Sequence, residues 1–309
     1  MHQRLDVGPD PRIGQLIDRI EAEIHRDVGR GMDAVFRATQ GGLRGAASAL
    51  AASNAPRIGL ITGFFVPGGN PPAAETDGPA GAALIARALV HAGLSCRLAT
   101  DTVCQSACRV ALCAAGAAAV PIDAAAPGET MDMLVDLWRE NAIDWVLAIE
   151  RCGPAADGHS RNMRGTDISA HAAPLHQLFS AGPWRTIAIG DGGNEIGMGQ
   201  VARRLIAQHV PLGDAIGCVV PADFLIAAGV SHWGAYALLA ALAVLRSEWS
   251  AGMLTGLHSD LDRAVVEAMV RDGPAVDGVS LRQTATIDAL DLEVHHAVLR
   301  GILAIMHNG

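Results

Sequence analysis

The chain contains no lysine: all 23 of its basic residues are arginine. Without lysine there is no Walker-type phosphate lysine, no Schiff-base partner for pyridoxal phosphate (PLP) and no lysine general base. Aromatic residues are scarce too, with one Tyr and five Phe. Such a core suits closely packed helices on a sheet better than an aromatic-rich sandwich. Positive charge is in deficit, the formal net charge being -9, whereas a nucleic-acid face needs clustered cations to neutralise phosphates. The six cysteines make neither a CxxC pair nor a zinc-site spacing, and they read as reduced, half-buried small hydrophobes. No apolar run reaches the roughly 20 residues of a membrane span. The amino-terminal "MHQRLDVGPDPR" has no apolar signal core and carries acids that a transit peptide avoids. The expectation is a cytoplasmic protein with no nucleic-acid or membrane partner; self-association into a homo-oligomer is left open.

What is present is apolar surface: half of the 309 residues are hydrophobic, enough to bury a large core. Apolar residues recur at helical spacing in "IGQLIDRIEAEI" and "MDAVFRATQGGLRGAASALAAS", with "DVGRGM" between them as a helix stop and restart. From Arg57 the pattern changes. "RIGLITGFF", "SCRLAT", "AAAVPI", "IDWVLAIE", "RTIAIG" and "AIGCVV" read as buried strands. Amphipathic stretches such as "GPAGAALIARALVHAG", "TMDMLVDLWRE" and "EIGMGQVARRLIAQ" read as helices between them. A long apolar helix is expected from about Ala222 to Glu248, and "DGVSLRQTATIDAL" as a hairpin or irregular segment. The reading is one α/β domain over residues 1–309. A helical amino-terminal layer (1–55) precedes an α/β core (56–309) whose mainly parallel sheet is flanked by helices in a Rossmann-like three-layer arrangement.

In such sheets ligands sit beyond the carboxyl ends of the strands, and the polar clusters fall there. "ETDGP" brings Glu75, Thr76 and Asp77 to the start of a helix, where Thr76 or Asp77 would serve as an N-cap, with or without a ligand role. "IERCGPAADGHSRNMRGTDIS" ends a strand at Glu150 and supplies Arg151, Asn162 and Arg164. Their guanidinium forks match a carboxylate, or else pair with Glu150 and Asp167. "GDGGNEIGMG" follows a strand and offers backbone N–H groups to an anion. It fails the GxGxxG dinucleotide spacing because Glu195 stands where the third Gly belongs, so no nucleotide is expected. Its informative residues are Asp191, Asn194 and Glu195. "GVSHWG" interrupts an apolar stretch and turns Ser231 and His232 toward a pocket, although a lone His beside Trp is more often a core residue. Late in the chain Asp277, Thr286 and Asp288 are weaker signals.

In order, "TGFFVP", "ETDGPAGA", "IERCGPAADG", "NMRGTDIS", "GDGGNEIGMG", "AGVSHWGAYAL" and "AVDGV" resemble the C-terminal domain of the D-glutamate cyclases. Against that family's pattern, Pro154 stands for Arg, Gln200 for Lys, Pro221 for Glu and His232 for Asn. The resemblance implies a hydro-lyase that closes D-glutamate to 5-oxo-D-proline with loss of water; the alternative is a protein that binds a small acidic amino acid without turnover. It implies Arg151 or Arg164 on the α-carboxylate. Contacts from Glu150, Asn162, Gly192, Gly193, Asn194, Ser231 and His232 would complete the binding site, and the backbone N–H groups after Asp191 would face the developing oxyanion. Asp191 or Glu195 would be the base toward the amine, and Asp77 or Glu75 the proton donor to the departing oxygen. Glu75, Asp77, Asp191 and Glu195 would equally suit Mg or Mn through oxygen ligands.

Overall fold

The computed structural model describes residues 11–308; most of the amino-terminal stretch read above for targeting signals, Met1–Asp10, lies outside them. Three helices come first, α1 (Pro11–Ile24), α2 (Asp33–Thr39) and α3 (Gly42–Ala51). Strand β1 (Arg57–Ile61) leads through a small antiparallel pair, β2 (Phe65–Val66) and β3 (Ala73–Ala74), into α4 (Pro79–His91). Then β4 (Ser95–Asp101), α5 (Gln105–Ala114), β5 (Ile122–Ala125), α6 (Asp132–Glu140) and β6 (Trp145–Ile149) alternate. After a long loop follow α7 (Leu175–Ala181), β7 (Arg185–Gly190), α8 (Arg203–His209), α9 (Gly213–Ile216) and β8 (Phe224–Ala227). The chain closes with α10 (Ser231–Leu245), α11 (Ser247–Leu254), α12 (Ser259–Asp272), the hairpin β9 (Thr286–Ile287) and β10 (Leu290–Asp291), and α13 (Leu292–His307).

Six strands form one sheet in the order β5-β4-β1-β6-β7-β8, parallel at every pairing. By chain order among these six strands, this is 3-2-1-4-5-6, the doubly wound order, and its direction reverses between β1 and β6. The carboxyl ends of those two neighbours diverge into loops that run opposite ways, leaving a crevice between them. Alternation along the strands divides the core. Ile58, Leu60, Leu98, Leu147, Ile149, Ile187 and Ile189 face α4, α5 and α10. Ile61, Ala99, Val146, Ala148 and Ala188 face α2, α6, α7 and α8. The second face carries smaller side chains, and at Gly59 a Cβ would run into the Trp138 ring of α6, so this helix lies close on the sheet.

The three-layer α/β arrangement is as expected, but some boundaries differ. "AIGCVV" is not a strand; the edge strand is "FLIA", inside the stretch read as helix, and the helix begins at Ser231. Four apolar residues flanked by an all-apolar helix give no periodicity to separate them. "EIGMGQVARRLIAQ" is irregular until Arg203. Helix α10 is apolar all round because α1, α3, α4, α11 and α13 pack around it. Helices α2 and α3 both pack on β8, with α2 in the core of one face and α3 in that of the other, so they straddle the sheet edge.

Candidate functional site

Five carboxyl groups converge at the crevice. The β1–α4 connection carries Glu75 and Asp77, β6 ends at Glu150, β7 runs into Asp191, and the β9–β10 turn contributes Asp288. All are buried. The approach is close because residue 78 is glycine. Its φ of 81° suits no other residue well, and a Cβ there would lie 2.8 Å from both Glu150 Cβ and Thr62 Oγ1. Oxygens of Asp77, Glu150 and Asp191 all lie within 4.8 Å of one another. Glu150 (φ 42°) and Asp288 (φ 55°) hold left-handed backbone conformations, which cost about 1–3 kcal/mol each and persist where the surroundings over-determine them.

One cation enters this cluster. Arg30 comes from the α1–α2 joint, where Asp27 accepts N–H groups of Arg30, Gly31 and Met32 and the flanking Gly29 and Gly31 have φ of 95° and 75°. Its Nη1 stands 2.5 Å from Asp191 Oδ1 and its Nη2 2.6 Å from Asp288 Oδ1. Asp191 Oδ2 accepts the Ser231 N–H at 2.8 Å, so a carboxylate from β7 caps the first turn of α10. The Ser231 hydroxyl donates to Glu150 Oε2 at 2.5 Å. Asp77 Oδ1 accepts the Gly78 N–H at 2.6 Å, while Asp77 Oδ2, Glu75 Oε1 and Asp288 Oδ2 are buried with no hydrogen-bond partner.

Five acids against one guanidinium cannot all be ionised without cost. Burial, then the neighbouring carboxylates, raise Glu75, Asp77 and Glu150 well above the ordinary range. Burial also raises Asp191, but Arg30 and the Ser231 N–H pull it back, to about 6. Asp288, raised by burial and restrained by Arg30, comes to about 7. The cluster thus contains protonated carboxyls beside one that is mostly ionised at neutral pH, as acid–base chemistry requires.

Glu75, Glu150, Asp191 and Asp288 open onto a cavity of about 210 Å³, while Asp77 lies behind its wall; the volume is below the roughly 300–1,000 Å³ of drug-sized pockets. Arg30, Glu75, Glu150, Asp191, Asn194 and Asp288 form its polar wall, and Phe64, Phe65, Val66, Met163 and Val279 its apolar one. Asn162 and Arg164 stand at the rim, where Arg164 donates to the carbonyls of Gly278 and Val279. A depression of about 390 Å³ at the opposite end of the sheet has Arg57 and Arg97 but no acid in its lining.

Several expected groups are placed otherwise. Arg151 is fully buried: its guanidinium pairs with Asp101 and donates to the carbonyls of Gly63 and Ala173, so it ties loops together and is not free for a substrate. Glu195 turns inward. Its Oε1 accepts the N–H groups of Asp191 and Gly192 at 3.1 and 2.6 Å, which occupies those two donors, while its Oε2 is buried without a partner and the residue does not line the cavity. Among the acids Glu150, not Glu195, joins Asp77 and Asp191 in the group able to hold a metal ion. Gly192 and Gly193 shape the turn without lining the cavity, and Asn194 does line it, with Oδ1 unpartnered. Neither Thr76 nor Asp77 is the N-cap of α4; Gly78 is.

His232 is also drawn away. It is fully buried, with Nε2 2.6 Å from Asp262 Oδ1, and His296 Nε2 is 3.0 Å from Asp262 Oδ2. Burial alone would raise Asp262, but the two histidines outweigh it and hold it well below the usual range. Two residues of the cluster carry no strong signal in the sequence. Asp288 is one of several acids in an irregular tail. Arg30 lies between two glycines in a joint that needs no cation, and that mismatch is the only hint.

The sequence matches the family described as D-glutamate cyclase-like, C-terminal, over residues 20–303. It is also similar to the human protein named D-glutamate cyclase, mitochondrial, with 45% identity over 108 residues. That stretch is 34% of this chain and 17% of the human protein, so the chain matches only a fraction of its relative's length. Among the described residues no helix is long and apolar enough to cross a membrane.

Proposed function

Starting from the chain's membership of the D-glutamate cyclase-like family, we propose that its crevice cyclises D-glutamate to 5-oxo-D-proline with loss of water. The observation that carries this reading is the set of buried carboxyls with unequal proton affinities on one small cavity. In the reaction the ammonium gives up two protons, nitrogen bonds to the carbon of the γ-carboxyl group (Cδ) to close the five-membered ring, and one oxygen of that group takes two protons and leaves as water. Holding amine and γ-carboxyl together supplies up to about 7–11 kcal/mol of the barrier. The rest is proton placement. Asp191, ionised at neutral pH, accepts the first ammonium proton. Glu75 or Asp77, kept protonated by burial, donates to the departing oxygen. Phe64, Phe65 and Met163 exclude water, which strengthens each of these interactions.

The residues also fit a hard divalent cation such as Mg or Mn. Asp77, Glu150 and Asp191 offer convergent oxygens, Asp77 Oδ2 is unpartnered, and carboxyls kept protonated by crowding would give up their protons to such an ion. Such an ion would polarise a carboxylate as a Lewis acid.

The test is to incubate the purified protein with D-glutamate, with and without Mn, and to follow 5-oxoproline by mass spectrometry beside Asp191→Asn. Absence of product under every metal condition sinks the cyclase. A second reading, a binding protein without turnover, draws on Arg30 already neutralising Asp191. It predicts stabilisation by acidic amino acids in a thermal-shift screen with no product formed.

A further inference from the structure

We propose that Arg30 is the residue that grips the substrate's α-carboxylate and thereby selects α-amino diacids over ω-amino acids that lack that carboxylate. This rests on the cyclase-site reading above. In that reaction the α-carboxylate stays ionised throughout, so it needs a cation that never loses its proton, and a guanidinium is one. Among the described residues, the cavity is lined by two, Arg30 and Arg164. Arg164 is an exposed rim residue already bonded to the Gly278 and Val279 carbonyls. Arg30 lies inside, with 14% of its side chain exposed against 3% for Asp191 and 6% for Asp288.

Geometry favours Arg30 for a second reason. The amine and carboxylate of an α-amino acid share one carbon, so a ligand that gives its ammonium to Asp191 must carry its carboxylate beside Asp191. Arg30 Nη1 stands there, 2.5 Å from Asp191 Oδ1. Its other terminal nitrogen holds Asp288 Oδ1 at 2.6 Å, a resident carboxylate in the position a ligand carboxylate would take. Binding therefore exchanges Asp288 for the substrate on one arm of the fork. The supporting frame is in place: Asp27 fixes the joint through three backbone N–H groups, and a Cβ at Gly31 would strike the His209 carbonyl, which pins the joint against α8.

The experiment compares D-glutamate with 4-aminobutyrate, which keeps the amine and γ-carboxylate but lacks the α-carboxylate. Binding is measured by calorimetry on wild type, Arg30→Gln, Arg30→Lys and Asp288→Asn, each checked for cooperative unfolding. Arg30→Gln should weaken D-glutamate by about 10- to 100-fold, the range of one charge-assisted hydrogen bond, and leave 4-aminobutyrate within a few-fold. Arg30→Lys, charged but without the fork, should fall between, and it serves if the Gln variant does not fold. Asp288→Asn should tighten D-glutamate selectively. Equal losses for both ligands, or unchanged preference for D-glutamate, overturn the assignment to Arg30 while leaving the cyclase reading intact. Wild type that binds neither ligand overturns the reading beneath it and this assignment together.

Discussion

Two buried polar clusters meet the first turn of α10 at consecutive residues, Ser231 and His232, and they differ in how their charges are answered. Around Asp262, one carboxylate faces two histidines, at 2.6 and 3.0 Å, and is held ionised. In the crevice, five carboxyls face one arginine, and three of their oxygens have no partner. Equal burial thus produces opposite proton affinities. A matched cluster is worth its desolvation only as structure. A mismatched one stores protons and a place for an incoming cation, which is what a site for an amino acid needs.

The sharpest way to break the contrast is to remove one oxygen's charge from each side. Asp191→Asn should lower 5-oxoproline formation by about 10²–10⁴-fold while leaving the unfolding midpoint little changed, because the lost Arg30 pair is offset by one charge fewer among five crowded acids. Asp262→Ala should do the reverse and lose about 3–5 kcal/mol of stability by urea unfolding. A destabilised Asp191→Asn with full turnover would erase the distinction.

The two clusters also set opposite pH limbs. A carboxyl raised in the folded state binds its proton more tightly folded than unfolded. Asp288, at about 7 against an ordinary value near 4, therefore stabilises most below pH about 4. That contribution is lost as pH rises to about 7. Beside the Asp262 cluster, His295 has its ring 6.0 Å from that of His232; lowered by burial and by His232 to about 4, it works the other way. Its contribution is complete above the ordinary value of about 6.5 and is lost as pH falls to about 4, and the depressed Asp262 adds to the loss at lower pH. Asp288→Asn should flatten the decline between pH 5 and 7.5 by about 1–3 kcal/mol without altering the acidic limb, as thermal scans across pH would show. An unchanged slope would remove Asp288 from the cluster's proton balance.

The smallest expected effect is at Glu195. Glu195→Gln keeps an acceptor for the Asp191 and Gly192 N–H groups, so stability should change by less than about 1 kcal/mol and turnover by less than about tenfold. A loss as large as that of Asp191→Asn, measured in the same assay, would return Glu195 to the reacting groups.

Much of the fold was legible. Strands such as "RIGLI" and "WVLAI" are short apolar runs between amphipathic helices, and that alternation leads to a parallel sheet with its polar loops at one end. The exception, "FLIA", was hidden because an edge strand four residues long beside an all-apolar helix has no period of its own. At the site, Glu75, Asp77, Glu150 and Asp191 follow strands directly, so strand-end position found them. Arg151 and Glu195 met the same criterion, and His232 stood at a break in an apolar stretch, yet each turns to a partner the local sequence does not show: Asp101, the turn's own N–H groups, and Asp262. Arg30 and Asp288 reach the crevice from 120 residues before Glu150 and 138 after it, a distance no local pattern spans.

By itself, then, the sequence determined the chemistry available: no lysine, abundant carboxylates, arginine as the cation other than histidine, and strand ends to carry them. These follow from composition and from the periods of helix and strand, which are local. Which carboxylates are satisfied and which are left short of charge was decided only by the tertiary structure. Proton affinity depends on burial and on neighbours within a few ångströms, and those neighbours are brought together by the crossing of β1 and β6 loops with the α1–α2 joint and the β9–β10 turn.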